Sequence, residues 1–314
     1  MIDFWSDKRV LVTGGQGFLG QYLVVALNLL KADVWVAPHG AYDLTDDIST
    51  KLLFQDSRPE IVFHLAAAVG GIGANQAQPG RFFRDNMLMG INVLDECRGA
   101  PGRSPVDKVV VVGTVCSYPN YCQVPFSERD LWAGYPEPTN APYGIAKRAL
   151  IVMGGAYRQQ YGLNVVFPIL ANLYGPGDNF DPATSHVIPA IIRAMVQGGD
   201  PVTLWGTGKA TREFLYVADA AEALIRVAER YDGPEPLNIG VQQDLTIGEL
   251  AGLIATTTGF DGEIKWDRSR PDGQPERRLD VTRARCLLGW KAETPLVYGL
   301  RSTVMWWKGQ NGKG

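Results

Sequence analysis

The feature that most constrains the fold is a short apolar run followed by a glycine-rich loop and a long apolar segment. Residues 10–13 are rich in Val and Leu, the loop carries Gly14-x-x-Gly17-x-x-Gly20, and residues 22–30 continue without Gly or Pro. This order predicts a strand, a tight turn and a helix. Since glycine has no side chain, such a loop lets the backbone approach a pyrophosphate, which the helix N-terminus then faces with free N–H groups. The loop therefore predicts a dinucleotide site, with a plain structural turn as the alternative.

Three further apolar runs predict more strands of the same sheet. They lie at residues 33–37, 60–67 and 108–113, with segments of helical length between them. Continuous apolar strands are expected where helices cover both faces of a parallel sheet. The fold class is therefore α/β, a doubly wound parallel Rossmann sheet with a smaller C-terminal α/β substrate-binding lobe. We expect the dinucleotide-binding domain to span residues 1–174 and the substrate lobe mainly residues 175–314, with some later segments returning to the first domain.

The second half of the chain has shorter elements, punctuated by Pro and Gly. Its patterns predict helices at residues 187–196, 218–230 and 246–258, and strands at 201–205, 236–240 and 263–266. Thr246 is a candidate N-cap of its helix.

Composition and charge exclude several classes of protein. The chain has 314 residues, a formal net charge of -3 and four cysteines, and its sequence pI is near 5.7. It lacks the basic field of a nucleic-acid binder, and no apolar stretch reaches the ~18 residues of a membrane-spanning helix. The charged start is unlike a secretion signal, and the cysteines have no paired metal-ligand spacing. We expect a soluble, cytoplasmic, reduced protein without nucleic-acid, membrane or metal partners.

Two signals in the middle of the chain predict carbonyl chemistry. Tyr143 and Lys147 are four residues apart in a predicted helix, so they share one face, and an ammonium there would lower the pKa of the phenol. Thr114 directly follows a buried strand and would offer its hydroxyl to a reacting carbonyl. The alternative for the Tyr–Lys pair alone is a surface ion-pair neighbour.

The type of dinucleotide is set by the end of the second strand. There the sequence reads Ala37-Pro38-His39, with neither the acid that holds a free ribose hydroxyl nor an Arg for a 2′-phosphate. His39 is either a phosphate partner or an exposed turn residue. We favour NADP, with NAD as the alternative.

Narrower motifs resemble the GDP-L-fucose synthase family of extended short-chain dehydrogenases/reductases. The most specific are Asn-x-Pro-Tyr ending at Tyr143 and Ser-His-Val-Ile-Pro around His186. Further matching segments lie, in family order, at residues 66–72, 172–176, 178–180, 205–208, 212–214 and 271–273. The resemblance implies an enzyme that epimerises GDP-4-dehydro-6-deoxy-D-mannose at C3 and C5 and then reduces the C4 ketone with NADPH.

The resemblance also implies roles for Cys116 and His186. A 4-keto group acidifies both neighbouring C–H bonds, so epimerisation needs a base on one face and an acid on the other. Thiol and imidazole both titrate near neutral pH with modest tuning, and in the family the Cys is the base and the His the acid. The structural alternatives are a buried cysteine and a histidine that caps the following helix. His64, inside a strand, is expected to serve packing.

The remaining site residues follow from the same resemblance. Those expected at the cofactor are Gly14, Gly15, Gln16, Gly17, Phe18, Leu19, Gly20, His39, Asp43, Leu44, Leu65, Ala66, Ala67, Val112, Gly113, Thr114, Val115, Tyr143, Lys147, Leu170, Ala171, Asn172, Leu173 and His186. Those expected at the nucleotide sugar are Asn172, Val187, Arg193, Trp205, Arg212 and Asp272, with Arg278 as a further candidate. Arg212 suits a diphosphate because its fork makes two parallel hydrogen bonds; a salt bridge to Glu213 or Asp219 is the alternative. The alternative to a substrate role for Trp205 is a place in the hydrophobic core.

The chain departs from the family pattern at three positions. Thr114 replaces the usual Ser, Gln16 replaces an Arg of the glycine loop, and Ala194 replaces a basic substrate residue. Arg193 is adjacent to Ala194, but one helical step rotates a side chain by about 100°. These departures affect the residue roles that the resemblance implies at the cofactor phosphate and at the nucleotide base.

A homodimer is the remaining expectation from the family. It would form from the helix that carries Tyr143 and the long helix near residues 82–98. Ile151, Val152, Leu88 and Ile91 are candidates to cover its seam, or else belong to the core.

Two other functions fit parts of this sequence. One is an NAD-dependent nucleotide-sugar 4-epimerase, which Gln16 favours and the Cys116–His186 pair opposes. The other is a non-catalytic Rossmann-type binding protein, which the presence of both Tyr143 and Lys147 opposes.

Overall fold

Strands and helices alternate through the first half of the chain, as the apolar runs predict. The computed structural model describes residues 4–38, 40–99, 105–270 and 272–311. Its first eight strands are β1 (Arg9–Thr13), β2 (Asp33–Val36), β3 (Ile61–His64), β4 (Lys108–Val111), β5 (Gly113–Thr114), β6 (Val165–Val166), β7 (Pro168–Leu170) and β8 (Asn172–Tyr174). The helices of this half are α1 (Phe18–Leu29), α2 (Asp47–Ser57), α3 (Ile72–Ala77), α4 (Pro79–Cys97) and α5 (Ala141–Tyr161), with 3₁₀ turns at Val115–Ser117 and Glu128–Trp132.

The second half contributes shorter strands and five helices within the described residues. The strands are β9 (Val202–Trp205), β10 (Thr211–Arg212), β11 (Phe214–Tyr216), β12 (Leu237–Ile239), β13 (Leu245–Thr246), β14 (Ile264–Asp267) and β15 (Glu276–Arg277). The helices are α6 (Val187–Gln197), α7 (Val217–Arg230), α8 (Ile247–Thr258), α9 (Thr282–Leu288) and α10 (Leu296–Asn311).

The central sheet is parallel and has the order β2–β1–β3–β4–β6. Chain continuity extends it, because β5 follows β4 and β7 follows β6, and these pair in the parallel order β5–β7–β12. Every residue of β3 and β4 is buried, which fits strands covered by helices on both faces. The predicted doubly wound α/β fold is confirmed.

Helix boundaries follow from local chemistry. In α1 the buried residues Gly20, Leu23 and Leu27 recur at three- and four-residue spacing, so one face packs on the sheet. The predicted cap of α8 is also present: Thr246 Oγ1 accepts from Glu249 N, and the Glu249 carboxylate accepts from Thr246 N. This reciprocal pairing satisfies two N–H groups that the first turn leaves open.

Two apolar clusters organise the packing. The larger lies around the central sheet and includes residues of α7 such as Leu224, so this late helix returns to the first part of the chain. The second, smaller cluster joins α6, α8 and α10, with Ile192 and Leu250 fully buried. The domain division at residue 175 stays a prediction.

The structure also refines individual expectations. Strand β3 ends at His64 rather than at residue 67, and α1 begins at Phe18, four residues earlier than the apolar run alone indicates. Among the described helices, none combines the length and the apolar character needed to span a bilayer.

Candidate active site

A large cleft opens at the carboxyl ends of the parallel strands. Its volume is about 1640 Å³, whereas pockets for one small ligand are usually ~300–1,000 Å³. The cleft therefore has room for a dinucleotide and a second ligand of similar size. The predicted site residues that line it are Gly14, Gln16, Gly17, Phe18, Leu19, Gly20, Asp43, Leu44, Leu65, Ala66, Ala67, Val112, Gly113, Thr114, Val115, Cys116, Tyr143, Leu170, Ala171, Asn172, Leu173, His186, Val187, Arg193, Trp205, Arg212 and Asp272.

The glycine loop between β1 and α1 is built for close backbone approach. Gly14 has φ +72°, and a Cβ there would lie 2.7 Å from the Ala66 nitrogen on the neighbouring strand end. A Cβ at Gly20 would overlap the Gly14 carbonyl oxygen, so α1 starts directly against the turn. Gly17 is the N-cap of α1 and makes no side-chain cap, which leaves the first turn open to an anion. The loop thus fits a pyrophosphate, while Gly15 packs on Val36 outside the lining.

The end of the cleft beside β2 is lined by backbone and small side chains. Pro38, Gly40, Tyr42 and Asp43 contribute there, and His39 lies outside the described residues. The Asp43 carboxylate accepts hydrogen bonds from the Thr45 hydroxyl (2.7 Å) and amide (2.8 Å), which lower the pKa of this acid.

Tyr143 and Lys147 sit together near the start of α5. Both are buried, and Lys147 lies outside the cleft lining. Burial lowers the pKa of Lys147 to about 8, so its ammonium gives up a proton more readily than an ordinary lysine. Burial raises the pKa of Tyr143, and the nearby Cys116 raises it further, while a hydrogen bond with Thr114 acts in the opposite direction. Desolvation therefore dominates the pKa of Tyr143, and the lowering expected from a neighbouring ammonium is not observed.

The segment that carries Thr114 and Cys116 packs closely against α5. Thr114 Oγ1 accepts from Cys116 N at 3.2 Å, forming the cap of a 3₁₀ turn. A Cβ at Gly144 would collide with the Cys116 carbonyl oxygen, and the buried Arg148 donates to Ser117 O. Cys116 is half-buried and open to the cleft rather than sealed in the core, so the structure does not support the buried-cysteine alternative.

His186 enters the cleft from the opposite lobe. It occupies the N-cap position of α6, yet its side chain makes no capping hydrogen bond. His186 is exposed to the cleft, and the partial loss of water around its ring lowers its pKa below the ordinary value. His64 is different: it is fully buried, hydrogen-bonded to Thr13 Oγ1 at 2.9 Å, and burial lowers its pKa to about 3. The predicted packing role of His64 matches this environment.

The predicted diphosphate ligand Arg212 is held by backbone carbonyls. Its guanidinium donates to Thr211 O (2.7 Å) and Asp272 O (3.0 Å). The salt bridge to Glu213 or Asp219 is not formed, since those carboxylates accept from Leu279 N and from Thr294 instead.

Other predicted substrate residues have mixed surroundings. Trp205 is 54% exposed, so it is not a core residue, and the Arg270 guanidinium lies 4.8 Å from its ring centroid. Arg193 donates to Phe180 O at 2.6 Å and to Ser185 Oγ at 3.2 Å, which braces the loop before His186. Arg278 lies outside the lining and pairs with Asp244 at 3.0 Å.

Arg277 and Asp178 are cleft residues to which the sequence motifs assign no role. Arg277 donates from Nη1 to Cys116 Sγ at 3.4 Å, whereas the family resemblance points to its neighbour Arg278. Adjacent residues of a strand point to opposite faces, so Arg277 and Arg278 are not expected to face the cleft together. This alternation is the sequence signal that separates the two arginines. Asp178 is buried in the lining, and its Oδ2 has no hydrogen-bond partner among the described residues.

Comparison with known proteins agrees with this geometry. Residues 10–240 match the model of the NAD dependent epimerase/dehydratase family. The chain belongs to this family. It is 39% identical to the probable GDP-L-fucose synthase 1 of Oryza sativa subsp. japonica, over 97% of this chain and 94% of the rice protein.

Two solved structures share the whole fold. A GDP-6-OMe-4-keto-L-xylo-heptose reductase from Campylobacter jejuni superposes with TM-score 0.89 at 28% identity, covering 97% of this chain and 99% of that one. A GDP-L-fucose synthetase from Naegleria fowleri bound to NADP gives TM-score 0.87 at 28% identity, covering 98% and 96%. Both structures are of enzymes named for GDP-linked sugars, and each shares its fold with nearly the whole of this chain.

Proposed function

We propose that this chain converts GDP-4-dehydro-6-deoxy-D-mannose to GDP-L-fucose by epimerisation at C3 and C5 followed by reduction at C4 with NADPH. One observation carries the proposal: Cys116, His186 and Tyr143 line a single cleft large enough for both ligands. A simple reductase needs only the proton donor Tyr143. The additional thiol and imidazole supply a second acid–base pair, which epimerisation requires.

The glycine loop and the ends of β3 and β4 would hold the cofactor. Gly14, Gly17 and Gly20 bring the backbone to the pyrophosphate, and residues 65–67 and 112–115 continue the same wall. NADPH, when bound, supplies the hydride for C4. The choice of NADP over NAD is supported by the NADP-bound relative of 28% identity.

Epimerisation uses residues from both sides of the cleft. The Cys116 thiolate removes the proton from C3 or C5. The electron pair of the broken C–H bond passes to the oxygen of the adjacent C4 ketone. His186 returns a proton to the opposite face of the same carbon.

Reduction uses the residues beside Thr114. Tyr143 donates its hydroxyl proton to the C4 oxygen, and Lys147, whose pKa is about 8, keeps a positive charge beneath it at neutral pH. Thr114 orients the carbonyl through its hydroxyl. Arg212, half-buried and still cationic with a pKa of about 10, would hold the diphosphate.

The proposal is tested by incubating purified protein with a panel of nucleotide-linked 4-keto-6-deoxy sugars and either NADPH or NADH. We expect absorbance at 340 nm to fall fastest with the GDP-linked sugar and NADPH, and the product to be GDP-L-fucose by NMR. Bound NAD with no coenzyme consumption would establish the 4-epimerase alternative instead.

We also propose that the protein is a cytoplasmic homodimer. Helices α4 and α5 pack side by side, and the exposed apolar residues Phe83 (40%) and Val152 (60%) lie on them. Ile151 does not contribute to such a seam, because it is buried in the core. Light scattering at micromolar concentration should give twice the monomer mass, and a monomer would refute the dimer.

A catalytic thiol at Cys116 favours a reducing compartment.

A further inference from the structure

A buried guanidinium contacts the thiol of the cleft. Arg277 Nη1 donates to Cys116 Sγ at 3.4 Å, although the two residues are 161 positions apart in the sequence. Arg277 is only 6% exposed. No carboxylate among the described residues forms an ion pair with it, so its charge is available to the thiol.

The position of Arg277 is fixed by a buried amide. Its Nε donates to Gln274 Oε1 at 2.8 Å. Gln274 is 4% exposed, and its Nε2 donates to the carbonyls of Pro119 (3.2 Å) and Asn120 (2.9 Å). These carbonyls belong to the loop that follows Cys116. The amide therefore ties β15 to the same loop that carries the thiol, and sets the distance between guanidinium and sulfur.

The charges around Cys116 are mostly positive. Arg277 approaches from β15, Arg212 from β10 and the neutral Tyr143 from α5. Arg277 and Cys116 both shift the pKa of Arg212, and the acids Asp272 and Glu137 raise it more weakly. Burial and the charge of Arg277 lower the pKa of Arg212 to about 10, which shows that the two guanidinium groups are close enough to interact.

We propose that Arg277 is a positioning residue that orients Cys116 Sγ and favours its thiolate form, the form able to remove a proton from the sugar. A cation in contact with a sulfur stabilises its anion, more strongly where water is excluded. The role in proton removal rests on the proposed function, whereas the contact with the thiol does not. In this scheme Arg277 contacts the base and not the sugar, and it removes no proton itself.

Thiol alkylation tests the contact without any sugar. Iodoacetamide is added to the intact protein between pH 6 and 10, and the modified fraction of the Cys116 peptide is read by mass spectrometry. The exposed Cys286 serves as an internal reference. In Arg277→Gln we expect alkylation of Cys116 at pH 7 to slow by about 10-fold or more, with the rates converging at high pH. Arg277→Lys, which keeps the cation, should stay within a few-fold of wild type.

Arg278→Gln is the matched control, because Arg278 pairs with Asp244 and should leave the profile unchanged. An Arg277→Gln profile that overlays wild type would overturn the proposal, and so would equal slowing at every pH, which indicates altered access. If Arg277→Gln fails to fold by circular dichroism, Gln274→Met replaces it. That variant keeps the cation but removes its anchor, and an unchanged profile there would also refute the proposal.

The consequence for the reaction is measured separately. In Arg277→Gln, deuterium exchange at C3 of the 4-keto sugar should fall at pH 7 and recover at higher pH. If Arg277→Gln changes the alkylation profile but wild type shows no deuterium exchange, the contact between Arg277 and Cys116 is supported and the proposed function is refuted.

Discussion

Asp178 should make the protein less stable as pH rises, and Asp178→Asn should remove that effect. Asp178 Oδ1 accepts from Asn179 N at 2.7 Å, while the buried Oδ2 has no partner among the described residues. Burial raises the pKa of Asp178 from its ordinary 3.8 to about 7. Ionising this carboxyl in the folded protein therefore costs about 4 kcal/mol, at about 1.4 kcal/mol per pKa unit.

The direction follows from proton binding. Between pH 3.8 and 7 the folded state holds a proton that the unfolded state has released, so stability falls across this window and levels off above it. Asparagine does not titrate, so the stability of Asp178→Asn relative to wild type should increase by about 2–3 kcal/mol from pH 5 to pH 8. Comparing the two pH values cancels any pH-independent effect of the amide.

Urea unfolding at pH 5 and pH 8, followed by tryptophan fluorescence, measures this difference. Asp43→Asn is the control, because Thr45 lowers the pKa of Asp43 and its loss should bring no gain at pH 8. An Asp178→Asn advantage of the same size at both pH values would refute the reasoning.

The remaining predictions concern the cofactor and the reduction. Tyr143→Phe should lower kcat for reduction by about 10²–10⁴-fold, the usual scale of general acid catalysis; near wild-type reduction would remove Tyr143 as the donor. The kcat/KM of the wild-type reduction should fall as pH rises through about 8, where Lys147 loses its charge, and a flat profile to pH 10 would contradict this role. Gly17→Val should weaken dinucleotide binding in a calorimetric titration while circular dichroism stays unchanged, since Gly17 has ordinary φ of -76° and only the Gly14 oxygen nearby. Unchanged affinity would show that the loop is only a turn.

The sequence was sufficient for the parts of the molecule that local rules determine. Strand β1, the glycine loop and α1 follow from residue spacing over about twenty positions, and the i,i+4 placement of Tyr143 and Lys147 follows from the helix itself. The same applies to the cap of α8 at Thr246.

Long-range contacts and burial were beyond the sequence. The Arg277–Cys116 contact joins residues 161 positions apart, and no local pattern distinguishes Arg277 from Arg278 except the alternation of a two-residue strand. The direction of the Tyr143 pKa was wrong because the desolvation that dominates it depends on the packing of α5. Trp205 shows the converse, since an aromatic residue that could fill a core proves to be half-exposed at the cleft.

The most direct test of the proposed function is deuterium exchange into GDP-4-dehydro-6-deoxy-D-mannose in D₂O without NADPH, followed by NMR. Wild type should incorporate deuterium at both C3 and C5, because epimerisation precedes reduction. Cys116→Ser should not, since a serine hydroxyl is a far weaker acid than a thiol of ordinary pKa ~8.5 and cannot supply a comparable anion near pH 7. Full exchange in Cys116→Ser would remove Cys116 as the base, and no exchange in wild type would contradict the epimerase function itself.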